Sequence, residues 1–201
     1  MPPVFGEGNP REPVLVRATS IAAIALVVVG CNRPASPLPT LPADALPGMT
    51  SETTSLSIDS LAADALDRDA LRSLLDDAGY LGGRERTYAG PGRSFSLAVT
   101  RVLVFEDADG AAAYVAWVRE HPSDLLGTAE TLPPLDLPGA PFLLEHIPGG
   151  CCPKAVPIYL SAWRRGSTVL FVRASGRRAD PVSMETLAGR LDRLVRDDPD
   201  A

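Results

Sequence analysis

The chain has 201 residues, enough for one domain of ordinary size with flanking segments and too few for two full domains. Hydrophobic residues make up 45% of it and charged residues 22%, a balance that excludes a collagen-like or wholly disordered chain. The 25 acidic and 19 basic residues give a net charge of -6, which repels phosphate backbones and argues against nucleic-acid binding.

The first recognisable segment is an apolar run from Ala18 to Val29, preceded by Arg17. A membrane-spanning helix needs about 20 apolar residues, so this run is too short for a stable anchor. A basic residue followed by a short apolar run is typical of a secretory signal peptide. Residues 1–30 are therefore predicted to be removed on export.

The junction Val28-Val29-Gly30-Cys31 resembles the lipobox of bacterial lipoproteins. The resemblance implies cleavage before Cys31 and a diacylglyceryl group on its thiol, and two acyl chains hold a protein far more firmly than one. We therefore expect a lipid anchor at the extracytoplasmic face of the cell membrane. The alternatives are an ordinary secretory peptide with a chance cysteine, or a buried core strand.

Prolines recur after this cysteine, at positions 34, 37, 39, 42 and 47, and a Ser/Thr-rich patch continues to Ser57. The composition predicts a disordered linker over residues 31–58. Extended at about 3.1 Å per residue, it would hold a domain some tens of ångströms from the bilayer. A proline-rich ligand for another domain is the alternative, but no motif repeats.

The predicted domain covers residues 59–197, with a disordered tail over 198–201. Apolar residues at helical spacing predict its first helix, with Asp67 as cap and Gly79 as the left-handed end: Leu71, Leu74, Leu75 and Ala78. Residues 94–100 alternate between apolar and polar and residues 102–105 continue as an apolar run, so both are predicted strands.

A second helix is predicted from Asp107, ending before Pro122. A short strand near 142–147 and a hairpin of strands 158–164 and 168–174 follow. Asp180 caps the last predicted helix, Pro181 takes its first position, and one of its faces is apolar: Met184, Leu187, Ala188, Leu191, Leu194 and Val195.

This order predicts an α+β fold, a mostly antiparallel sheet with two to three packed helices in a single domain. A strand followed by an acid-capped helix occurs twice, over 102–117 and 169–191, which suggests a duplicated unit. In element order across about residues 60–197, the domain resembles small actinobacterial lipoprotein and sensor domains of the PsbP/Mog1-like kind. The resemblance implies no catalytic residue.

Cys151 and Cys152 are the remaining thiols, and outside the cytoplasm they are expected to oxidise. Neighbouring Cα atoms lie about 3.8 Å apart, less than the roughly 4.4–6.8 Å usual for disulfides, so a bridge within the pair would be strained. Three interpretations remain: this structural bridge, which we favour, pairing between copies, or metal ligation with His146. No metal site is predicted, because His121 and His146 are the only histidines and lack a second ligand motif.

Several other residues in the sequence are of types that form catalytic or binding sites. No Gly-x-Ser-x-Gly motif and no Ser, His and Asp set is present, so no catalytic residue is assigned. His121 is interpreted as a helix cap. Three further groups have both a structural and a binding interpretation. Arg84, Arg86, Tyr88 and Arg93 form either a turn-rich loop or an anion cradle, and Tyr88, Tyr159 and Trp163 form part of either the core or a groove. The pairs Arg164-Arg165 and Arg177-Arg178 lie in solvated turns or contact lipid headgroups.

These observations predict a lipid-anchored, non-catalytic binding or interaction module without a cofactor. Its partners would be the membrane, through Cys31, and an envelope protein or small ligand. The alternative is an envelope enzyme or redox protein that uses Cys151 and Cys152.

Overall fold

The structure, a computed structural model, describes residues 38–147 and 156–197. Within these residues, seven strands form one antiparallel sheet in the order β1-β2-β3-β7-β6-β5-β4. Their bounds are β1 Thr50–Leu56, β2 Tyr80–Ala89, β3 Leu97–Phe105, β4 Ala129–Leu132, β5 Leu143–His146, β6 Ile158–Arg165 and β7 Thr168–Ser175. The predicted α+β class and antiparallel sheet are confirmed, with β7 at the centre between β3 and β6.

The described part of the chain also contains five helices: α1 Ile58–Ala62, α2 Arg68–Asp77, α3 Ala108–Glu120, α4 Pro122–Leu126 and α5 Pro181–Arg196. The three predicted caps are confirmed. Carboxylates of Asp67, Asp107 and Asp180 accept hydrogen bonds from backbone N–H groups in the first turns of α2, α3 and α5. Gly79, with a φ of 65°, ends α2 as predicted.

The helices cover both faces of the sheet. Alternate residues of β7 separate two cores, because successive side chains of a strand point to opposite faces. Leu170 and Val172 pack with α5, whereas Val169 and Phe171 pack with α3 and the other helices. We call these sides the α5 face and the α3 face.

This two-sided arrangement does not support the suggested duplication. A two-fold axis that exchanged the antiparallel strands β3 and β7 would stand perpendicular to the sheet, and would leave both following helices on one face. Because α3 and α5 lie on opposite faces, the two strand–helix units are not related by that symmetry.

The prediction of a disordered linker up to residue 58 is wrong for its second half. Thr50–Leu56 forms β1, paired with β2 along its whole length, and residues 38–49 pack on the α5 face with Leu41 only 3% exposed. We call residues 38–49 the strap. The strand is polar because it is an edge strand with much of its surface in water, and Thr favours strands even without an apolar pattern.

Most of the segment interpreted as a turn-rich loop is also a strand, β2, which includes Arg84, Arg86 and Tyr88, whereas Arg93 lies in the turn that follows the strand. Its glycines suggested turns, but the register shifts between Tyr80 and Gly82, where β2 contains a bulge. Gly83 allows close packing, since a Cβ there would lie 2.7 Å from a methyl carbon of Leu103. The glycines therefore shape a strand instead of ending one.

Candidate binding cleft

The strap is held against β2 by three of the four residues that had suggested an anion cradle: Arg84, Arg86 and Tyr88. The Tyr88 hydroxyl donates to the carbonyl oxygen of Pro42 at 2.8 Å, and the Arg86 guanidinium donates to the Thr40 hydroxyl at 3.3 Å. Arg84 likewise reaches a strap carbonyl, at 3.5 Å. Because these side chains alternate along one strand, they all face the strap, and their role here is structural.

A cleft of about 490 Å³ opens where the strap ends. Its walls are the strap, the turn at residues 92–95 and the first turns of α5. Apolar side chains line much of it: Leu46, Met49, Phe95 and Leu187. Arg93 and Arg190 add two exposed positive charges, and no acidic residue belongs to the lining. We call this concavity the strap cleft.

Two polar contacts shape the strap cleft. Arg190 donates to the carbonyl oxygen of Ala45 at 2.6 Å and so ties α5 to the strap. The hydroxyls of Ser183 and Ser94 lie 3.1 Å apart and join α5 to the 92–95 turn. The cleft is therefore built by contacts among three segments that are distant in sequence.

A wider groove of about 940 Å³ lies between α3 and residues 131–142. Its lining includes Arg119 and Glu120 next to each other, and Arg164. With charges of both signs, this groove shows no clear preference for a charged ligand. The strap cleft is the better-defined candidate.

Tyr88, Tyr159 and Trp163 do lie on the same face, but as parts of the core. All three are at most 5% exposed and belong to the cluster under α5. Burial raises the pKa of Tyr88 to about 12, and burial together with Glu145 raises that of Tyr159 to about 12. Both phenols are therefore neutral near pH 7, and the groove interpretation of these aromatics is replaced by the core one.

A buried carboxylate at Asp192, on α5, ties this core to the sheet. Asp192 is fully buried and accepts a hydrogen bond from the indole N–H of Trp163 at 3.0 Å. It also accepts from Arg165 at 2.8 and 2.9 Å. Of the predicted arginine pairs, Arg165 is thus an ion-pair partner, whereas Arg177 and Arg178 are exposed at a turn.

A second buried charge, Arg101 on β3, lies on the α3 face. It forms ion pairs with Asp64 and, at 2.7 Å, with Glu85, and its guanidinium lies 4.9 Å from the ring centre of Phe171. Burial lowers the pKa of Arg101, but Tyr114, Asp64 and Glu85 together outweigh it and leave that pKa raised. Sequence analysis missed this residue, although a single charge within the apolar run 97–105 was a usable signal.

Both histidine rings contact backbone carbonyl oxygens. Nδ1 of His121 lies 3.1 Å from the oxygen of Trp117, which confirms the predicted helix cap, and Nδ1 of His146 lies 3.0 Å from that of Thr128. Within residues 38–147 and 156–197, no group of three or more His, Cys, Asp or Glu side chains is arranged to hold a metal ion.

Cys31, Cys151 and Cys152 lie outside the described residues. The lipid anchor and the cysteine bridge therefore stay predictions from the sequence. In the described part of the chain, no helix has the length and apolar character needed to cross a membrane.

Comparison with known proteins identifies no family. No family model and no curated protein matches the chain. Among solved structures, it is similar to the extracellular domain of PknH from Mycobacterium tuberculosis, with 15% sequence identity and a TM-score of 0.49 over 75% of this chain and 86% of that one. A similarity this distant assigns no function, so the proposals below rest on the residues of this chain.

Proposed function

We propose that this chain is a non-catalytic binding module, anchored by lipid on Cys31 at the extracytoplasmic face of the membrane, which holds a small ligand in the strap cleft. One observation carries the proposal. The strap forms a wall of the cleft, and the chain that enters it at Leu38 is the one that leads back to Cys31.

The strap shortens the tether considerably. Only residues 32–37 separate Cys31 from Leu38, and an extended chain spans at most about 25 Å over that distance. An acylated Cys31 would therefore keep the strap close to the headgroups, in contrast to the long spacer that the proline content had suggested. A ligand from the bilayer surface would meet the cleft within a short distance.

The lining of the strap cleft favours an amphiphile with a negative group. Its volume of about 490 Å³ falls within the range of roughly 300–1,000 Å³ typical of small-molecule sites. Leu46, Met49 and Phe95 can cover a hydrocarbon part, and Arg93 and Arg190 can bind a phosphate or carboxylate.

The anchor is tested by acylation in a bacterium that processes lipoproteins. We expect the wild-type chain to incorporate labelled palmitate, to begin at Cys31 and to remain with detergent-extractable membranes. Cys31→Ser should carry no label, because the acceptor thiol is gone, whereas the Cys151→Ser/Cys152→Ser double variant should label as the wild type does. Label on Cys31→Ser, or a mature chain that begins elsewhere, would refute the anchor.

The cleft is tested by binding calorimetry on the full-length Cys31→Ser chain, which carries no acyl group of its own. We expect dodecyl phosphate to bind, and Arg93→Glu to weaken its binding at least tenfold, since charge reversal removes an attraction and adds a repulsion. Arg177→Glu, an exposed reversal outside the cleft, serves as the control. Equal weakening by both variants, or no binding of dodecyl phosphate, would contradict the assignment.

A further inference from the structure

A smaller concavity lies on the α3 face, on the other side of the sheet from the strap cleft. It measures about 260 Å³ and is lined chiefly by Leu97, Leu125, Leu126, Ile158, Arg173 and Ser175. Leu97, Ser175 and Ile158 form one row across β3, β7 and β6, since both outer residues pair with Ser175. We call this concavity the Arg173 pocket.

Arg173 is the single charged residue of this lining. It lies two positions along β7 from Phe171, the residue opposite Arg101, so the two arginines are diagonal neighbours on one face. The nearby carboxylates of Asp64 and Glu85 are both engaged by Arg101. Among the described residues, Arg173 has no ion pair, and its guanidinium forms no hydrogen bond.

The surroundings of this guanidinium disfavour its charge. Burial, and then the charge of Arg101, lower the pKa of Arg173 against the opposing effects of Asp64 and Glu85. An arginine side chain stays protonated in proteins at neutral pH even so. The pocket thus combines a half-buried arginine, the single charged residue of its lining, with leucine and isoleucine side chains.

We propose that the Arg173 pocket binds the carboxylate of a small apolar acid. The planar guanidinium can donate two parallel hydrogen bonds to a carboxylate, and such charge-assisted pairs are stronger than neutral hydrogen bonds. The leucine and isoleucine walls would cover the hydrocarbon part. At about 260 Å³ the pocket is smaller than most ligand sites, which suits a short chain and excludes a full-length lipid.

The probe for this proposal is hexanoate, with hexanol as its uncharged counterpart. In the full-length Cys31→Ser chain, hexanoate should shift the methyl resonances of Leu97, Leu126 and Ile158, and these shifts should saturate. Hexanol should bind at least tenfold more weakly, because it lacks the charge. This measurement on the unaltered pocket does not depend on any pocket variant folding.

Substitutions of Arg173 test whether its charge binds the carboxylate of hexanoate. Arg173→Met keeps an unbranched apolar stem and should weaken hexanoate binding at least tenfold. Arg173→Lys keeps the charge, so its affinity for hexanoate should lie between those of the wild type and Arg173→Met. Arg93→Glu, in the strap cleft, should leave the hexanoate-induced shifts of Leu97, Leu126 and Ile158 unchanged, and Arg173→Met should leave dodecyl phosphate binding unchanged. The proposal for the strap cleft and the proposal for the Arg173 pocket can therefore be refuted independently.

Three results would overturn the proposal: no saturable hexanoate binding, equal affinity for hexanol, or wild-type affinity in Arg173→Met. Shifted methyl resonances confined to residues of the strap cleft would overturn it as well.

Discussion

Replacing Asp192 with alanine is expected to lower the free energy of unfolding by about 3 kcal/mol. The carboxylate is fully buried and accepts hydrogen bonds from the indole of Trp163 and from Arg165. Without it, the indole N–H stays under α5 with no acceptor. Arg165, whose side chain is 28% exposed, can recover part of its hydration, which keeps the loss below that of a wholly buried pair.

Denaturant unfolding followed by tryptophan fluorescence measures this loss. Asp192→Asn retains an acceptor oxygen for Trp163 and removes the charge, so an intermediate effect is expected. Asp197→Ala, at the exposed end of the same helix, is the matched control and should change the free energy of unfolding by less than about 0.5 kcal/mol. If Asp192→Ala unfolds at the same denaturant concentration as Asp197→Ala, the buried network contributes nothing measurable.

Replacing Arg101 with methionine is expected to cost about 3–5 kcal/mol of unfolding free energy. Methionine fills much of the same volume, so the main loss is electrostatic. The Arg101 side chain is 6% exposed, and its removal leaves the carboxylates of Glu85 and Asp64, 19% and 32% exposed, without their cation. Two partly buried negative charges then lose their ion-pair partner at once.

A compensated variant separates this charge effect from packing. When Glu85→Gln and Asp64→Asn are added to Arg101→Met, all three charges of the ion-paired group are gone, and most of the lost stability should return. Replacing a whole buried ion-paired group by uncharged residues is often neutral, whereas removing one partner is not. A triple variant no more stable than Arg101→Met alone would show that packing around Phe171 dominates.

The features predicted correctly are those determined by neighbours in the chain. Asp107 and Asp180 cap helices because a side-chain oxygen reaches N–H groups two or three residues further on, a contact that no distant residue has to complete. The hairpin of β6 and β7 is equally local, since its strands are joined at Gly166 and pair residue by residue. The apolar periodicity of α5 correctly predicted which side of this helix faces the sheet.

The mistakes occur where stability comes from distant partners. The strap looks like a linker because one buried leucine, Leu41, and a carbonyl bonded to Tyr88 give no periodic pattern. Similarly, β1 is polar along its length and is held by backbone pairing with β2, to which every residue type contributes alike.

By itself, the sequence determined the fold class, the helix caps and the central hairpin, because each depends on short stretches of chain. Export and acylation at Cys31 stay predictions from the sequence. Only the tertiary structure decided where the sites lie. The strap cleft joins residues near 46, 93 and 187, and the Arg173 pocket joins three strands and α4. Likewise, whether an arginine is engaged, as Arg101 is, or left facing a pocket, as Arg173 is, depends on which carboxylates the fold brings within hydrogen-bonding distance.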